Sequence, residues 1–258
     1  MSEQTSTKSL ALFITNDSIT YLTKSTQDEE NFYSEPVRIS LPDLKKHQNY
    51  EDIESLVKSH LPLLLYYNKV FICYLSTPVS VVPKAYITEE IKHFLKLNAD
   101  PKLLPISAPL KYVDACVVFN GYSPLAKVLQ NLANFKSAKF IHTGNLLIDR
   151  LELNAEKNQI FARLIEQKLE ICIYKQRTFM FYNVFDITAD EDILYYILNS
   201  IEQLKLNPLE TFLTFEGGID ENHLAMEHLP KYIQEVTIDP EAHSEGLKYL
   251  LYKIFECE

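Results

Sequence analysis

Histidines, cysteines and clustered carboxylates are the side chains in this sequence that could hold a metal ion or carry acid–base chemistry, and their spacing argues against both. His223 and His228 stand five residues apart on a predicted helix. They lie roughly 140° apart around its axis, so they do not converge on an ion as an i, i+4 pair would. No HExxH run occurs, and His47, His60, His93, His142 and His243 are isolated. Asp190-Glu191-Asp192 falls in the first turn of a predicted helix, where the macrodipole favours anions without any metal. Cys73, Cys116, Cys172 and Cys257 form no CxxC pair, and three of them lie in apolar β-like runs. They read as buried free thiols in a reducing compartment. The motifs GxSxG, GxGxxG and GxxxxGK followed by Ser or Thr are all missing, so serine-hydrolase, dinucleotide-binding and P-loop readings lack their required residues.

Charge narrows the partners further. Lys plus Arg at 25 against Asp plus Glu at 35 gives a net charge of −10, which repels phosphate backbones and anionic headgroups. Nucleic acid is therefore not an expected partner, and the densest basic group, Lys45-Lys46 beside His47, reads as a solvated loop. The N-terminal residues Met1 to Lys8 are polar, and the longest apolar stretch, Leu61 to Tyr67, is short and interrupted by Pro62. A cytoplasmic protein with no membrane insertion is expected.

The elements that must position these residues read as a repeat. Ser9 to Asn16, Ser18 to Lys24 and Phe32 to Leu41 form a predicted three-strand meander, with Asn16-Asp17 as a tight-turn pair. A helix at Tyr50 to Leu65, a strand at Val70 to Leu75, a short helix at Thr88 to Leu97 and a strand at Tyr112 to Phe119 follow. A helix at Pro124 to Phe135, a strand at Lys139 to His142 and a helix at Leu146 to Leu153 complete the first half. The grammar then restarts with strands at Gln159 to Ile165, Leu169 to Tyr174 and Phe179 to Phe185. Thr188 and Glu191 form a capping-box pair for the next helix, whose core face is Ile193, Tyr196, Ile197, Ile201 and Leu204. A strand at Thr211 to Phe215, the turn Gly217-Gly218, a helix at Glu221 to Leu229 and a strand at Ile233 to Ile238 lead to a last helix at Pro240 to Phe255, capped by Asp239. The order β-β-β-α-β-α-β-α thus occurs twice, in residues 1–156 and 157–258. The segment 77–111 has no counterpart and reads as an insertion into the first half, mostly irregular or edge because of Pro78, Pro83, Pro101, Pro105 and Pro109.

This twofold α/β order resembles the actin, sugar kinase and heat-shock ATPase superfamily, in which two RNase H-like halves clamp a nucleotide. An inserted subdomain in the first half looks more like the pilus-assembly and cell-division actin-like proteins, and the chain also resembles a bacterial family of about this length with an actin-like ATPase fold. The resemblance implies nucleotide-binding positions at Asp17 and Ser18 in the first hairpin turn, and at Gly217 and Gly218 within Thr214-Phe215-Glu216-Gly217-Gly218, which is similar to the adenosine motif. The first turn departs from the pattern by lacking glycine, and the second, Glu166-Gln167-Lys168, has neither Asp nor Gly. A Glu there would repel a triphosphate unless Mg²⁺ intervened. Two readings follow. One is a degenerate actin-like protein that acts through contacts with a protein partner, with no catalytic residue, no metal and no cofactor; the alternative is an ATP-binding protein, an ATPase or a small-molecule kinase, using Mg-ATP.

Overall fold

The computed structural model describes residues 7–15, 17–27, 30–40, 50–60, 65–87, 91–95, 103–131, 138–150, 153–154 and 156–257. Asn16, the Lys45-Lys46-His47 group and residues 61–64 lie outside them. The chain divides into two units, one of residues 1–109, 116–143 and 251–258, the other of residues 110–115 and 144–250.

In unit one, β1 (Thr7–Ile14) pairs antiparallel with β2 (Ser18–Gln27), and the apolar run Leu10 to Ile14 is buried on both faces. The single strand expected over residues 32–41 is two short pieces, β3 (Glu30–Tyr33) and β4 (Val37–Ser40), both paired with β2. Ser34-Glu35-Pro36 separates them, and Pro36 has no N–H to offer a ladder. On its other side β1 runs parallel to β5 (Lys69–Tyr74), which runs parallel to β9 (Lys139–His142). The helix α1 (Tyr50–Ser59) buries Ile53 and Val57, as its spacing predicts. The described residues of the proline-rich insertion include two edge strands, in keeping with the expected edge character. Strands β6 (Val79–Pro83) and β7 (Leu103–Pro109) flank β8 (Ala115–Tyr122) in a small separate sheet. Pro83, Pro105 and Pro109 sit in its two outer strands, where a missing N–H is tolerated. Of the helix expected over residues 88–97 the described part, Ile91–Leu95, is a 3-10 turn and the rest lies outside the described residues, while α2 (Ser123–Asn131) and α3 (Thr143–Ile148) follow β8 and β9.

Unit two repeats the strand order. Its sheet runs β12 (Thr178–Asp186), β11 (Lys168–Lys175), β10 (Asn158–Ile165), β13 (Thr211–Phe215), β14 (Glu235–Ile238), with β13 and β14 parallel to β10 and the first three strands antiparallel. The turn between β11 and β12 is Gln176-Arg177, both at positive φ, as a two-residue hairpin requires. One sheet face packs Ile160, Ala162, Leu169, Ile171 and Ile173 against Ile193, Ile197 and Ile201 of α4 (Asp190–Gln203). The cap of α4 differs from the expected pair: Asp192, not Glu191, accepts from the Thr188 and Ala189 amides, at 2.7 and 3.0 Å, and from the Thr188 hydroxyl. After α5 (Leu224–His228), the expected last helix is two, α6 (Pro240–Glu245) and α7 (Leu247–Phe255), broken where Gly246 takes φ 53. Asp239 caps α6 as predicted, accepting from the Glu241 and Ala242 amides.

Candidate functional site

In open α/β sheets a ligand sits beyond the carboxyl ends of the parallel strands. In unit two those ends are the β10 turn, the segment after β13 and the residue after β14. They carry Glu166, Glu216 and Asp239. Glu216 is buried and ion-paired with Arg150, whose guanidinium also lies 3.6 Å from the centre of the Phe161 ring and whose Nε donates to the Leu147 carbonyl. Arg150 is thereby held by a carboxylate, an aromatic face and a carbonyl, all supplied by its own chain.

Beneath this pair lies a second one. Alternation along β10 turns Phe161 and Arg163 away from the apolar core, and the hairpin register sets Arg163 opposite Glu170. Both are buried, with Arg163 at 3% exposure and Glu170 at 0%. Arg163 meets one oxygen of Glu170 through Nε at 2.8 Å and Nη2 at 2.7 Å, while the Tyr182 hydroxyl donates to the other. Burial acts against the charged form of Arg163, but the neighbouring Glu170 and Glu216 carboxylates outweigh it, so the guanidinium titrates above its ordinary range. Gly144 is what lets Tyr182 in: a Cβ there would stand 2.6 Å from the Tyr182 ring. On the same sheet face Cys172 is fully buried, and that burial pushes its thiol up and disfavours the thiolate.

The glycine pair is part of this construction. Gly217 and Gly218 have φ of +95° and +78°, and a Cβ on Gly218 would lie 2.0 Å from the Leu164 carbonyl oxygen. The Leu164 amide donates to the Gly217 carbonyl. The close approach that glycine permits at position 218 is therefore taken by the chain's own β10 backbone.

In unit one the predicted turn residues are also engaged. Ser18 is buried, and its hydroxyl shares a 2.9 Å hydrogen bond with that of Thr15. Asp17 accepts from the Thr15 hydroxyl at 2.8 Å and stands 3.6 Å from Arg38. Asp17 and Ser18 thus meet within one turn of unit one, and Gly217 and Gly218 within one turn of unit two. Among the described residues no group of three or more His, Cys, Asp or Glu side chains is arranged to hold a metal ion. His223 lies at the start of α5, not within it, and accepts from the Ala225 amide.

Sequence reasoning missed Arg163 and Glu170, although a signal existed: they are the charged residues inside two otherwise apolar strand runs, and the two-residue turn at Glu166-Gln167 makes them partners. Arg150 left no such signal.

Comparison with solved structures agrees on the fold. A Bacteroides thetaiotaomicron protein described as having an actin-like ATPase fold and unknown function is 17% identical, with a TM-score of 0.80 over 97% of this chain and 96% of that one. The cytoplasmic domain of EpsL, an inner membrane component of the Vibrio cholerae type II secretion system, gives 10% identity and a TM-score of 0.50 over 98% and 96%. A chain of the PilM-PilN type IV pilus biogenesis complex gives 11% and 0.53 over 95% and 97%. No curated protein sequence matches. No described helix is long and apolar enough to cross a membrane. The chain has an actin-like ATPase fold, and since the model of the family described as "Protein of unknown function (DUF3822)" matches residues 1–236, it belongs to that family.

Proposed function

We propose that this protein is a catalytically degenerate actin-like protein that works through contacts with a protein partner and does not hydrolyse ATP. The observation that carries this reading is the carboxyl edge of the parallel strands in unit two. It bears Glu166, Glu216 and Asp239, and the Arg150 beside it is committed to Glu216. A triphosphate brought there would meet carboxylates, and its gain from Arg150 would be offset by stripping Glu216 of its partner in a buried setting. The self-bonded Thr15-Ser18 turn and the occupied approach at Gly218 support the same reading. Exposed Phe32, Tyr66, Tyr195 and Tyr232 offer aromatic surface of the kind enriched in protein interfaces. The likeness in fold to a chain of a pilus biogenesis complex is in keeping with a protein partner.

Calorimetric titration with Mg-ATP tests the proposal. No saturable heat is expected, meaning a dissociation constant weaker than about 1 mM, or roughly 4 kcal/mol of binding free energy. Micromolar affinity that disappears in Gly217→Val would overturn it in favour of an ATP-binding protein, an ATPase or a small-molecule kinase. Phosphate release that falls in Asp17→Ala would then identify an ATPase, and release unchanged by that substitution would count against one.

A further inference from the structure

In unit one the carboxyl ends of β5 and β9 bear hydroxyls and an imidazole in place of the carboxylates found in unit two. The two strands end at Tyr74 and His142, which stand opposite each other in register and are 2% and 0% exposed. Leu75 continues the ladder by donating to the Ile14 carbonyl, so alternation brings Ser76 to the Tyr74 side of the sheet. The His142 ring is set against that residue, its Nε2 3.3 Å from the Ser76 amide nitrogen and 3.1 Å from the Ser76 carbonyl oxygen. Apolar groups close the other sides. The Phe119 ring is centred 5.8 Å from that of Tyr74 and 5.2 Å from that of His142, and the Phe140 ring lies 6.5 Å from that of Tyr74. The β position of Gly121 is 3.6 Å from the Tyr74 hydroxyl oxygen and 2.8 Å from Ile106 Cδ1.

Two hydroxyls are left over within this enclosure. Among the described residues neither Tyr74 Oη nor Ser76 Oγ has a hydrogen-bond partner, and both atoms are closed to solvent. Burial raises the Tyr74 phenol above its ordinary range, so the hydroxyl keeps its proton and can donate. A buried hydroxyl without a partner forfeits the hydrogen bonds it made in water, a loss that Phe and Ala at these positions would not incur. The side chain of Asn120 is also unpartnered, but alternation sends it out of the other face of β8 from Phe119 and Gly121. Each hydroxyl can donate one hydrogen bond and accept two. Their complement is a neutral molecule that does both, because an ion would lose its hydration there without a counter-charge. It must also reach a closed interior, since Tyr74, Phe119 and His142 are at most 2% exposed, and water does so in most folded proteins. We propose that the carboxyl ends of β5 and β9 form a buried water-binding site, in which an ordered water bridges the Tyr74 and Ser76 hydroxyls where the small sheet lies against the main sheet of unit one.

A crystal structure of the full chain that resolves ordered water is the direct test. A water within about 2.7–3.2 Å of both hydroxyl oxygens is expected. A structure in which either hydroxyl pairs with a protein group, the space between them is dry, or a larger molecule occupies it overturns the proposal. Urea unfolding tests it independently. Tyr74→Phe and Ser76→Ala each remove only a hydroxyl oxygen, so the surrounding packing is kept. Each should raise the unfolding equilibrium constant about three- to tenfold, the worth of one net hydrogen bond. Both substitutions act on the same water, so the double variant should lose little more than either single one. Single variants as stable as the native chain, or more stable, would mean that the hydroxyls bind nothing. Losses that add in full would mean that they share no ligand. Either result overturns the proposal, and neither depends on whether Mg-ATP binds.

Discussion

Glu170 sits at the centre of a buried network in which Arg163 and Tyr182 each hold one of its oxygens, so its removal strands a guanidinium in the interior. Breaking a buried pair by deleting one partner typically costs about 3–5 kcal/mol, because the remaining charge is desolvated and unpaired. Glu170→Ala is therefore expected to lower the urea-unfolding free energy by about 3–5 kcal/mol, and a loss below about 1 kcal/mol would mean that the pair is solvated. Replacing the pair together, as Arg163→Met with Glu170→Leu, should recover part of that loss, since no buried charge is left without its counter-charge and the remaining cost is the acceptor lost to the Tyr182 hydroxyl. The partnership itself was readable. Two charges in apolar runs either side of Glu166-Gln167 have their register fixed by a two-residue turn. The placement of Arg150 on Phe161 was not readable, because no local periodicity links a residue after α3 to one in β10.

At the scale of elements, the N-terminus of α4 carries a pH dependence. Three hydrogen bonds from Thr188 and Ala189 favour the ionised Asp192, the Thr188 amide first, and hold its carboxyl below the ordinary aspartate range. A carboxyl titrating lower in the folded than in the unfolded state contributes stability that is complete above the unfolded value, about 3.9, and is lost as the pH falls through the folded one. Asp192→Asn should therefore flatten the acid side of the stability curve below about pH 4 and leave the slope near neutrality unchanged; equal slopes for the two proteins in that acid range would refute the assignment. Capping residues are legible in a sequence to within a position or two, and this one shows why. Thr188, Glu191 and Asp192 all fit a cap by type, and the backbone conformation of Ala189 decides which carboxylate reaches the free amides. The split of the last helix is of the same kind. Its apolar spacing runs on through Gly246, yet the backbone there takes φ 53 and α6 gives way to α7.

For the whole molecule, a charge of −10 is the property that bears on partners, since it sets the long-range field whatever the details of any one surface. No binding to a generic duplex DNA is expected by fluorescence anisotropy at about 0.15 M salt, and a salt-sensitive dissociation constant in the micromolar range would contradict this. The repeated strand order, the parallel strands after each meander, the glycine turn after β13 and the cap on α6 were all within reach of the sequence. Hydrophobic periodicity, turn residues and caps are short-range features that each stretch of chain carries with it. Only the tertiary structure decided that β8 joins the small sheet of the insertion, that the approach at Gly218 is filled by the β10 backbone, and that Arg150 is bound to Glu216 across 66 residues of chain. Such pairings depend on which strands meet and on what else competes for each charge, and no local pattern of residues records that choice.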